Sequence, residues 1–530
     1  MRNANDQFFI YGPPGSGKST VARLLAQALN LRFLDLDQEI ENETQKSIPE
    51  IFSQAGEDGF RQCETELLKK ICQESRSVIA LGGGALLRSE NRLLVENSGV
   101  VICLHTDEAT LLRRVRSDAV NRPLLGNDAE VEQRLMQLLA SRKEHYTSFE
   151  LQIDTTNLPP EEIVWNIQVL TGTFRVTGMN SGYDVRIQTG NLSHLGNAMQ
   201  ARNLKGPVAV ISDENVAKLY LARVCKVIEQ GGYQQIETMT IPPGEQSKNI
   251  QTAISLWENL LKAGLERSST IIALGGGVVT DLAGFVAASF LRGIRWIAVP
   301  TSLLGMADAS IGGKTAIDLP AGKNLVGAFH PPSLILADPL TLSTLPEHEL
   351  QNGMAEVIKH GVISNPTLFE ECINIADKKI LLETPSWNKL ISKAMAVKIR
   401  YVQEDPYEQG IRAALNFGHT IGHAIERASN YQLKHGEAVS IGMIAEARLA
   451  EKLGIAKKGL ADIIAIPLKL WKLPVSLPGH MKTKDFLPFI QVDKKKQGGK
   501  INFALPAEIG QIKTGVSLTL NDLPLEEIFI

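Results

Sequence analysis

Phe8-Phe9-Ile10-Tyr11-Gly12-Pro13-Pro14-Gly15-Ser16-Gly17-Lys18-Ser19 runs an apolar strand directly into the pattern GxxxxGK[ST], with a helix expected to begin near Thr20. That order of strand, glycine-rich loop and helix decides the fold of the first part of the chain. The glycines let successive backbone N–H groups converge on phosphate oxygens at a helix N-terminus. The Lys18 ammonium neutralises β/γ-phosphate charge, and the Ser19 hydroxyl is placed to ligate Mg²⁺. Gly15, Gly17, Lys18, Ser19 and Thr20 are therefore the expected nucleotide-binding positions. Downstream, Phe33-Leu34-Asp35-Leu36-Asp37 is expected to set two carboxylates at the end of a second strand, on one side of it because they are two residues apart. One would support Mg²⁺ and the other would orient an acceptor hydroxyl, which is what phosphoryl transfer requires of its protein. An N-cap to a helix over 38–44 is the alternative reading of Asp37.

Working outward, short apolar runs at 8–11, 78–81 and 100–104 alternate with amphipathic stretches such as 21–29, the rhythm of βαβ units on a parallel sheet. Pro, Gly and Ser interrupt it around 157–160 and 178–182. A second α/β segment follows, with strands expected at 208–212, 270–274, 296–299 and 334–337. The period then becomes helical, as at 389–402, 414–428 and 438–453. The fold class is accordingly α/β: a P-loop NTPase-type parallel-sheet domain over 1–172, a Rossmann-like α/β domain over 173–345, and a mostly α-helical metal-binding domain over 346–530. A chain of 530 residues accommodates that number, at about 150 residues per domain. Ile-Ala-Leu-Gly-Gly-Gly occurs twice, at 79–84 and 272–277, but the flanks differ. Each copy reads as a buried strand ending in a turn where backbone must approach a ligand.

The 55 Lys+Arg and 58 Asp+Glu leave a net charge of -3, without the global cationic footprint that nucleic acid or an acidic membrane selects. Aromatic residues at 5% argue against a base-stacking platform. Cys63, Cys72, Cys103, Cys225 and Cys372 form no CxxC pair, so neither a disulfide framework nor a thiolate zinc site is expected. The first residues lack a signal-peptide apolar region, and no apolar run approaches the ~20 residues that span a bilayer. The expectation is a cytoplasmic protein with small-molecule partners, no nucleic acid and no membrane.

Histidines cluster late in the chain. Asn416-Phe417-Gly418-His419-Thr420-Ile421-Gly422-His423 sets two imidazoles at i and i+4, and Lys434-His435-Gly436-Glu437 follows shortly after. Gly353-Met354-Ala355-Glu356-Val357-Ile358-Lys359-His360 lies upstream on another helical pattern. Two neutral imidazoles and one carboxylate with an open coordination position make the catalytic type of zinc site. The turn Gly275-Gly276-Gly277-Val278-Val279-Thr280-Asp281 follows an expected strand and can bind a pyrophosphate, although Thr280 stands at the last glycine of GxGxxG. Asp213 and Asn215 follow the strand at 208–212 and suit ribose or adenine contacts; a helix N-cap accounts equally well for Asp213.

Two resemblances resolve these readings. The loop at 12–19, Asp35-x-Asp37, Phe60-Arg61-x-x-Glu64, Gly82-Gly83-Gly84, Asn121-Arg122-Pro123-Leu124-Leu125 and Arg142-x-x-x-Tyr146 occur in the order and spacing of shikimate kinase, over essentially all of 1–170. That resemblance implies Asp37, Arg61, Gly83 and Arg142 around shikimate, with Arg122 in a lid over ATP. The chemistry agrees: guanidinium forks suit a carboxylate and Asp37 suits a hydroxyl.

From about 180 to 530 the chain resembles 3-dehydroquinate synthase. The match rests on Gly244-Glu245-Gln246-Ser247-Lys248, the turn at 275–281, Arg292-Gly293, Pro300-Thr301-Ser302, Asp308-x-Ser310-Ile311-Gly312-Gly313-Lys314, Gly322-Lys323-Asn324, Phe329-His330-x-Pro332, the helix at 353–359, Arg412 through Glu426, His435-Gly436-Glu437 and Asp493-Lys494-Lys495. Thr280 replaces a usual glycine and Ser302 a common threonine. The resemblance implies zinc, with cobalt as the alternative, on Glu356, His419 and His435. It implies NAD along Asp213, Glu245, Lys248, Gly277, Val278, Val279, Thr280, Asp281, Thr301, Ser302, Lys314 and Lys323. Facing the substrate would be Asp308, Lys314, Asn324, Lys359, Lys398, Arg412, Asn416, His423 and a lysine among 494–496. Arg292 would reach a neighbouring subunit's site in a homodimer. The implied reaction converts 3-deoxy-arabino-heptulosonate 7-phosphate to 3-dehydroquinate plus phosphate. It runs by oxidation at C5, elimination, re-reduction and aldol closure, with NAD regenerated each turnover. The chain therefore reads as a two-activity shikimate-pathway enzyme. The alternatives are another sugar phosphate cyclase in the second half, or a first half that binds nucleotide only to regulate.

Overall fold

Five parallel strands carry the first phosphate loop: β1 (Gln7–Tyr11), β2 (Arg32–Asp35), β3 (Ser77–Ala80), β4 (Val100–His105) and β5 (Gln152–Asp154), in the order β2-β3-β1-β4-β5. The computed structural model describes residues 6–117, 131–179, 181–377, 384–496 and 500–529. These divide into two compact units, Met1–Arg175 and Val176–Ile530. In the first unit β1 is buried on both faces. Phe8 and Ile10 pack with Val78, Ala80, Val100 and Ile102 against the helix Lys18–Leu29, whereas Phe9 and Tyr11 pack on the opposite face with Ile79, Val101 and Cys103. The period-two alternation of a strand thus divides one apolar run between two cores, which is why it reads as continuously hydrophobic. Strand order reverses beside β1, and in such sheets ligands collect outside the carboxyl ends at the reversal. Gly12 begins the phosphate loop there.

Two local boundaries differ from expectation. The phosphate-loop helix starts at Lys18 rather than near Thr20, behind Gly17 at φ 89°. β2 ends at Asp35, and the helix Leu36–Thr44 begins at the next residue. Asp35, not Asp37, is the N-cap, its Oδ1 accepting the Asp37 amide at 3.2 Å. The two carboxylates therefore do not share one side of a strand. A junction without a connecting loop leaves the first helical amides unpaired unless the last strand residue caps them, and Asp37 enters the first helical turn.

The second sheet begins with β6 (Thr173–Val176), which straddles the division after Arg175, and continues with β7 (Tyr183–Ile187), β8 (Val208–Asp213), β9 (Ile236–Ile241), β10 (Thr270–Gly275) and β11 (Arg295–Pro300). An antiparallel hairpin, β12 (Lys314–Leu319) and β13 (Gly322–Phe329), then precedes β14 (Leu334–Ala337). The seven-stranded sheet runs β6-β7-β14-β11-β10-β8-β9, with parallel pairing from β7 through β9. Its order reverses between β8 and β10, so Asp213 and Gly275 flank the crevice. The rest is mainly helical and ends in an antiparallel pair, β15 (Ile501–Glu508) and β16 (Gln511–Leu518). Residues 503–506 are buried in a row, a short apolar run that a helical reading of this region passes over. Among the described residues no helix is long and apolar enough to cross a membrane.

The helix expected over 414–428 is interrupted. Ile411–Asn416 forms a 3₁₀ turn, Gly418 adopts φ 79°, and the α-helix begins at His419. It packs on the helix His435–Lys452 so closely that a Cβ on Gly442 would lie 2.0 Å from the Gly418 carbonyl oxygen. Gly442→Ala is expected to destabilise the second unit by ~1–3 kcal/mol or to force the helices apart. Urea unfolding followed by tryptophan fluorescence measures the loss, and unchanged stability would show the contact to be slack.

Candidate active sites

In the first unit Lys18 Nζ donates to the Pro13 carbonyl at 3.0 Å, folding the ammonium across the phosphate loop. Ser19 Oγ donates to Asp35 Oδ2 at 2.7 Å, so two oxygens suited to Mg²⁺ stand together. Asp37 instead faces the Gly82–Gly84 turn, where a Cβ on Gly82 would come within 3.0 Å of its Oδ1. Burial, then the neighbouring Asp35, raises the Asp37 carboxyl against the pull of Lys18 and Arg61. Arg61 reaches the same turn, since a Cβ on Gly84 would lie 2.5 Å from its Nη2. Its Nη1 donates to the buried Glu64 at 2.7 Å. Burial pushes the Glu64 carboxyl up to about 7 despite that partner. Three donors meet on the Gly83 carbonyl: Tyr146 Oη at 2.7 Å, Tyr11 Oη at 3.1 Å and Arg142 Nη1 at 3.3 Å.

Asp37, Arg61, Gly83 and Arg142 thus surround one turn beside the phosphate loop. Two guanidinium groups there suit a small carboxylate, and Asp37 stands ready for a hydroxyl. Arg122 lies outside the described residues. Sequence reasoning left Glu64, Tyr11 and the capping role of Asp35 without assignments. Tyr11 was hidden because it completes an apolar strand, and only its phenol betrays a second task.

In the second unit the helix Glu347–Ser364 is buried along most of its length and carries Glu356 into the core at 0% exposure. Glu356 Oε1 lies 3.2 Å from His435 Nε2 and 3.4 Å from His419 Nε2. One donor atom from each of the three falls within 4.8 Å of the others. The second ring nitrogens are also placed: His419 Nδ1 stands 3.2 Å from the Phe417 carbonyl and His435 Nδ1 3.5 Å from Glu426 Oε2. Such outer contacts fix the tautomer and direct Nε2 inward. Burial, followed by the Lys359 charge, keeps His419 well below the usual imidazole range and hence neutral. The donor set fits a divalent metal of the zinc type. His423 is not brought to Glu356 with His419; its ring stands 5.0 Å from that of His419 and 5.7 Å from that of His435.

Around this centre Lys359 pairs with Glu356, and Lys398 Nζ donates to Asp308 Oδ1 at 2.6 Å. Burial works to raise the Asp308 carboxyl, but Lys398 outweighs it and holds the group below the carboxylate range. Arg412 is 2% exposed, packed under Gly312. Lys314 and Asn416 share Glu408, which sequence reasoning did not single out.

The expected dinucleotide residues form a linked set. Lys248 Nζ lies 2.5 Å from both Asp281 Oδ2 and Asn324 Oδ1. Lys323 pairs with Glu245 at 3.5 Å and with Glu426 at 2.8 Å, which joins this set to His435. Gly276 lies against Ser302, where a Cβ would come within 3.2 Å of Oγ, and the helix Gly277–Ser289 has no side-chain cap. The early amides of this helix, at Gly277, Val278 and Val279, thus have no capping side chain, the condition under which a helix start can receive a pyrophosphate. The Thr280 amide is spent on Gly276, and its hydroxyl bonds to the Gly277 carbonyl at 3.0 Å, so its Cβ is accommodated inside the helix packing. Thr301 follows β11 directly, its amide donating to the Gly275 carbonyl at 3.0 Å. Asp213 caps a short turn by accepting from Asn215 and Val216. Arg292 is not in this group: at φ 69° it lines a separate cavity of about 380 Å³ with Arg267, Arg295 and His330. The side chains of Lys494, Lys495 and Lys496 lie outside the described residues.

Family models match along the chain: shikimate kinase over 14–170, the N-terminal part of 3-dehydroquinate synthase over 238–352 and its C-terminal part over 353–496. The 3-dehydroquinate synthase of Symbiobacterium thermophilum is 43% identical over 334 residues, 62% of this chain and 92% of that protein. That of Crocosphaera subtropica is 40% identical over 367 residues, 68% of this chain and 100% of that protein. Among solved structures, the 2-epi-5-epi-valiolone synthase of Streptomyces hygroscopicus subsp. jinggangensis, with NAD⁺ and Zn²⁺ bound, is 27% identical with a TM-score of 0.59, covering 67% of this chain and 97% of that one. A 2-deoxy-scyllo-inosose synthase in complex with carbaglucose-6-phosphate, NAD⁺ and Co²⁺ shares the fold at a TM-score of 0.62 and 24% identity, over 67% of this chain and 99% of that one.

Proposed function

We propose, for a chain that belongs to the 3-dehydroquinate synthase family and carries a shikimate kinase domain ahead of it, that the two residue clusters above are the two active sites. The chain is a shikimate kinase and a 3-dehydroquinate synthase. In the first site the loop amides and Lys18 hold the nucleotide phosphates, while Ser19 and Asp35 hold Mg²⁺. Arg61 and Arg142 bind the shikimate carboxylate. Asp37 orients the acceptor hydroxyl and takes its proton, with burial having raised its carboxyl toward that task. Glu64 keeps Arg61 in register.

In the second site bound NAD⁺ and zinc supply a hydride acceptor and a Lewis acid. Glu356, His419 and His435 would hold the metal. Asp213, Glu245, Lys248, Thr301, Ser302 and the amides of Gly277, Val278 and Val279 would hold the dinucleotide. Buried Lys359, Lys398 and Arg412 and the more exposed Lys314 compensate the carboxylate and phosphate of 3-deoxy-arabino-heptulosonate 7-phosphate, and Asn324 and Asn416 offer it hydrogen bonds. Asp308 and His423 border the reacting carbons. The observation that carries this reading is the convergence of Glu356, His419 and His435 from three helices. We place the chain in the cytoplasm as a homodimer through its second unit, with Arg292 presented to the partner's site, and sedimentation equilibrium measures that association.

The deciding experiment assays the purified chain for ADP formation with shikimate and, with NAD present, for phosphate release from the heptulosonate phosphate. Absence of either would remove that half of the reading. The solved sugar phosphate cyclases of this fold motivate a second reading for the synthase half, ring closure of a sugar phosphate that carries no carboxylate. Buried Arg412 argues against it, because a substrate without a carboxylate leaves cationic groups unanswered. The carboxylated substrate is expected to be turned over at least ~10²-fold more efficiently than sugar phosphates without a carboxylate. Comparable kcat/KM values would favour the other cyclase.

A further inference from the structure

The helix His419–Ala428 begins with a metal-site imidazole yet has no cap of its own. Its N-cap position is Gly418, without a side chain and at φ 79°. A Ser or Asp there would need a Cβ within 2.6 Å of Met443 Cγ. Four amides at a helix start need partners, and a buried start cannot leave them to water. The partner comes from the adjacent helix: Glu446, 0% exposed, accepts the Gly418 amide at 2.6 Å through Oε2 and the Ile421 amide at 3.1 Å through Oε1. The Thr420 amide adds a third contact. The carboxylate therefore grips both sides of His419.

Glu446 lies on the helix His435–Lys452, whose first residue is the other metal-site imidazole. The two helices meet at glycines, where a Cβ on Gly442 would lie 2.0 Å from the Gly418 oxygen and one on Gly422 would lie 3.0 Å from the Ala438 oxygen. A side chain of glutamate length spans that gap from one helix to the start of the next. Burial pushes the Glu446 carboxyl up to about 8, while the Gly418, Ile421 and Thr420 amides work against that rise; the cap rests on its two oxygens each meeting an amide.

We propose that Glu446 is the positioning residue of the metal centre, a cap supplied in trans that holds His419 Nε2 at the distance from Glu356 and His435 that a metal requires. This rests on the reading of those three residues as metal ligands. The test uses the full chain and Glu446→Gln, which keeps the shape but turns an amide NH₂ toward backbone donors. Zn²⁺ affinity is measured by competition with a chromophoric chelator, and the centre is read by the visible spectrum of the Co²⁺-substituted protein. The zinc dissociation constant is expected to rise ~10–100-fold, with a changed Co²⁺ spectrum. ADP formation with shikimate should be unaltered, and Glu446→Asp should recover part of the affinity. Wild-type zinc affinity and Co²⁺ spectrum in Glu446→Gln overturn the proposal, whereas a wild-type chain that binds no zinc overturns the metal reading itself. If Glu446→Gln does not fold, hydrogen exchange of the metal-free wild-type chain carries the test. Slow exchange at Gly418 and Ile421 supports the cap, and exchange as fast as in an exposed loop overturns it.

Discussion

Glu356→Ala is expected to leave the purified chain without zinc and to lower phosphate release from the heptulosonate phosphate by at least ~10³-fold, while ADP formation with shikimate stays unchanged. The magnitude follows from what is removed. A Lewis acid contributes several kcal/mol of transition-state stabilisation, and each ~1.4 kcal/mol is tenfold in rate. Glu356 is the only carboxylate facing both His419 Nε2 and His435 Nε2 among the described groupings of those two imidazoles. The substitution also strips Lys359, 1% exposed, of its partner, and breaking a buried pair costs about 3–5 kcal/mol. Glu356→Gln separates the two effects, since it retains the volume and a hydrogen-bonding oxygen but not the charge. Zinc content by atomic emission and turnover are measured for both variants. A Glu356→Ala chain with full zinc and normal cyclisation would remove the metal assignment.

Lys18→Ala is the complementary experiment. Losing the one ammonium folded across the phosphate loop is expected to lower shikimate phosphorylation by ~10²–10³-fold, the scale of deleting a preorganised donor at developing charge. Cyclisation should be untouched, because the substitution lies in the first compact unit and the metal cluster in the second. ADP formation and phosphate release are followed in the same preparation. Equal loss of both activities would contradict two independent sites.

Much of this was legible along the chain. The phosphate loop could be read because its chemistry is local: a strand, glycines that free the amides, a lysine and a hydroxyl within a dozen positions. The period-two and helical patterns likewise placed β8, β10, β11 and β14 to within a residue or two, since burial of a regular element imposes its own repeat. Reading failed where an element ends without a loop. Asp35 and Asp37 looked equivalent by spacing, but a cap at Asp35 sends one carboxylate to Ser19 and the other to the Gly82–Gly84 turn. Spacing alone said less of His419 and His423, because i,i+4 places two imidazoles on one helix face while the partners that His419 meets, Glu356 and His435, come from other helices. Glu446 carried no signal, being one of three glutamates on a helix that also bears Arg448 and Lys452.

The amino-acid sequence by itself determined the α/β class, the phosphate loop and, through its ordered polar motifs, the families to which the two halves compare. Those features depend on backbone sterics, hydrogen bonding and side-chain repeat within a few residues. Tertiary structure alone decided which atoms meet. His435 and Glu356 are 79 residues apart, and their 3.2 Å approach joins the helices His435–Lys452 and Glu347–Ser364, which close where a Cβ on Gly436 would lie 2.2 Å from the Asn352 carbonyl oxygen. A repeat can announce a helix, but the distance between two helices is set by the side chains that are absent at their contact.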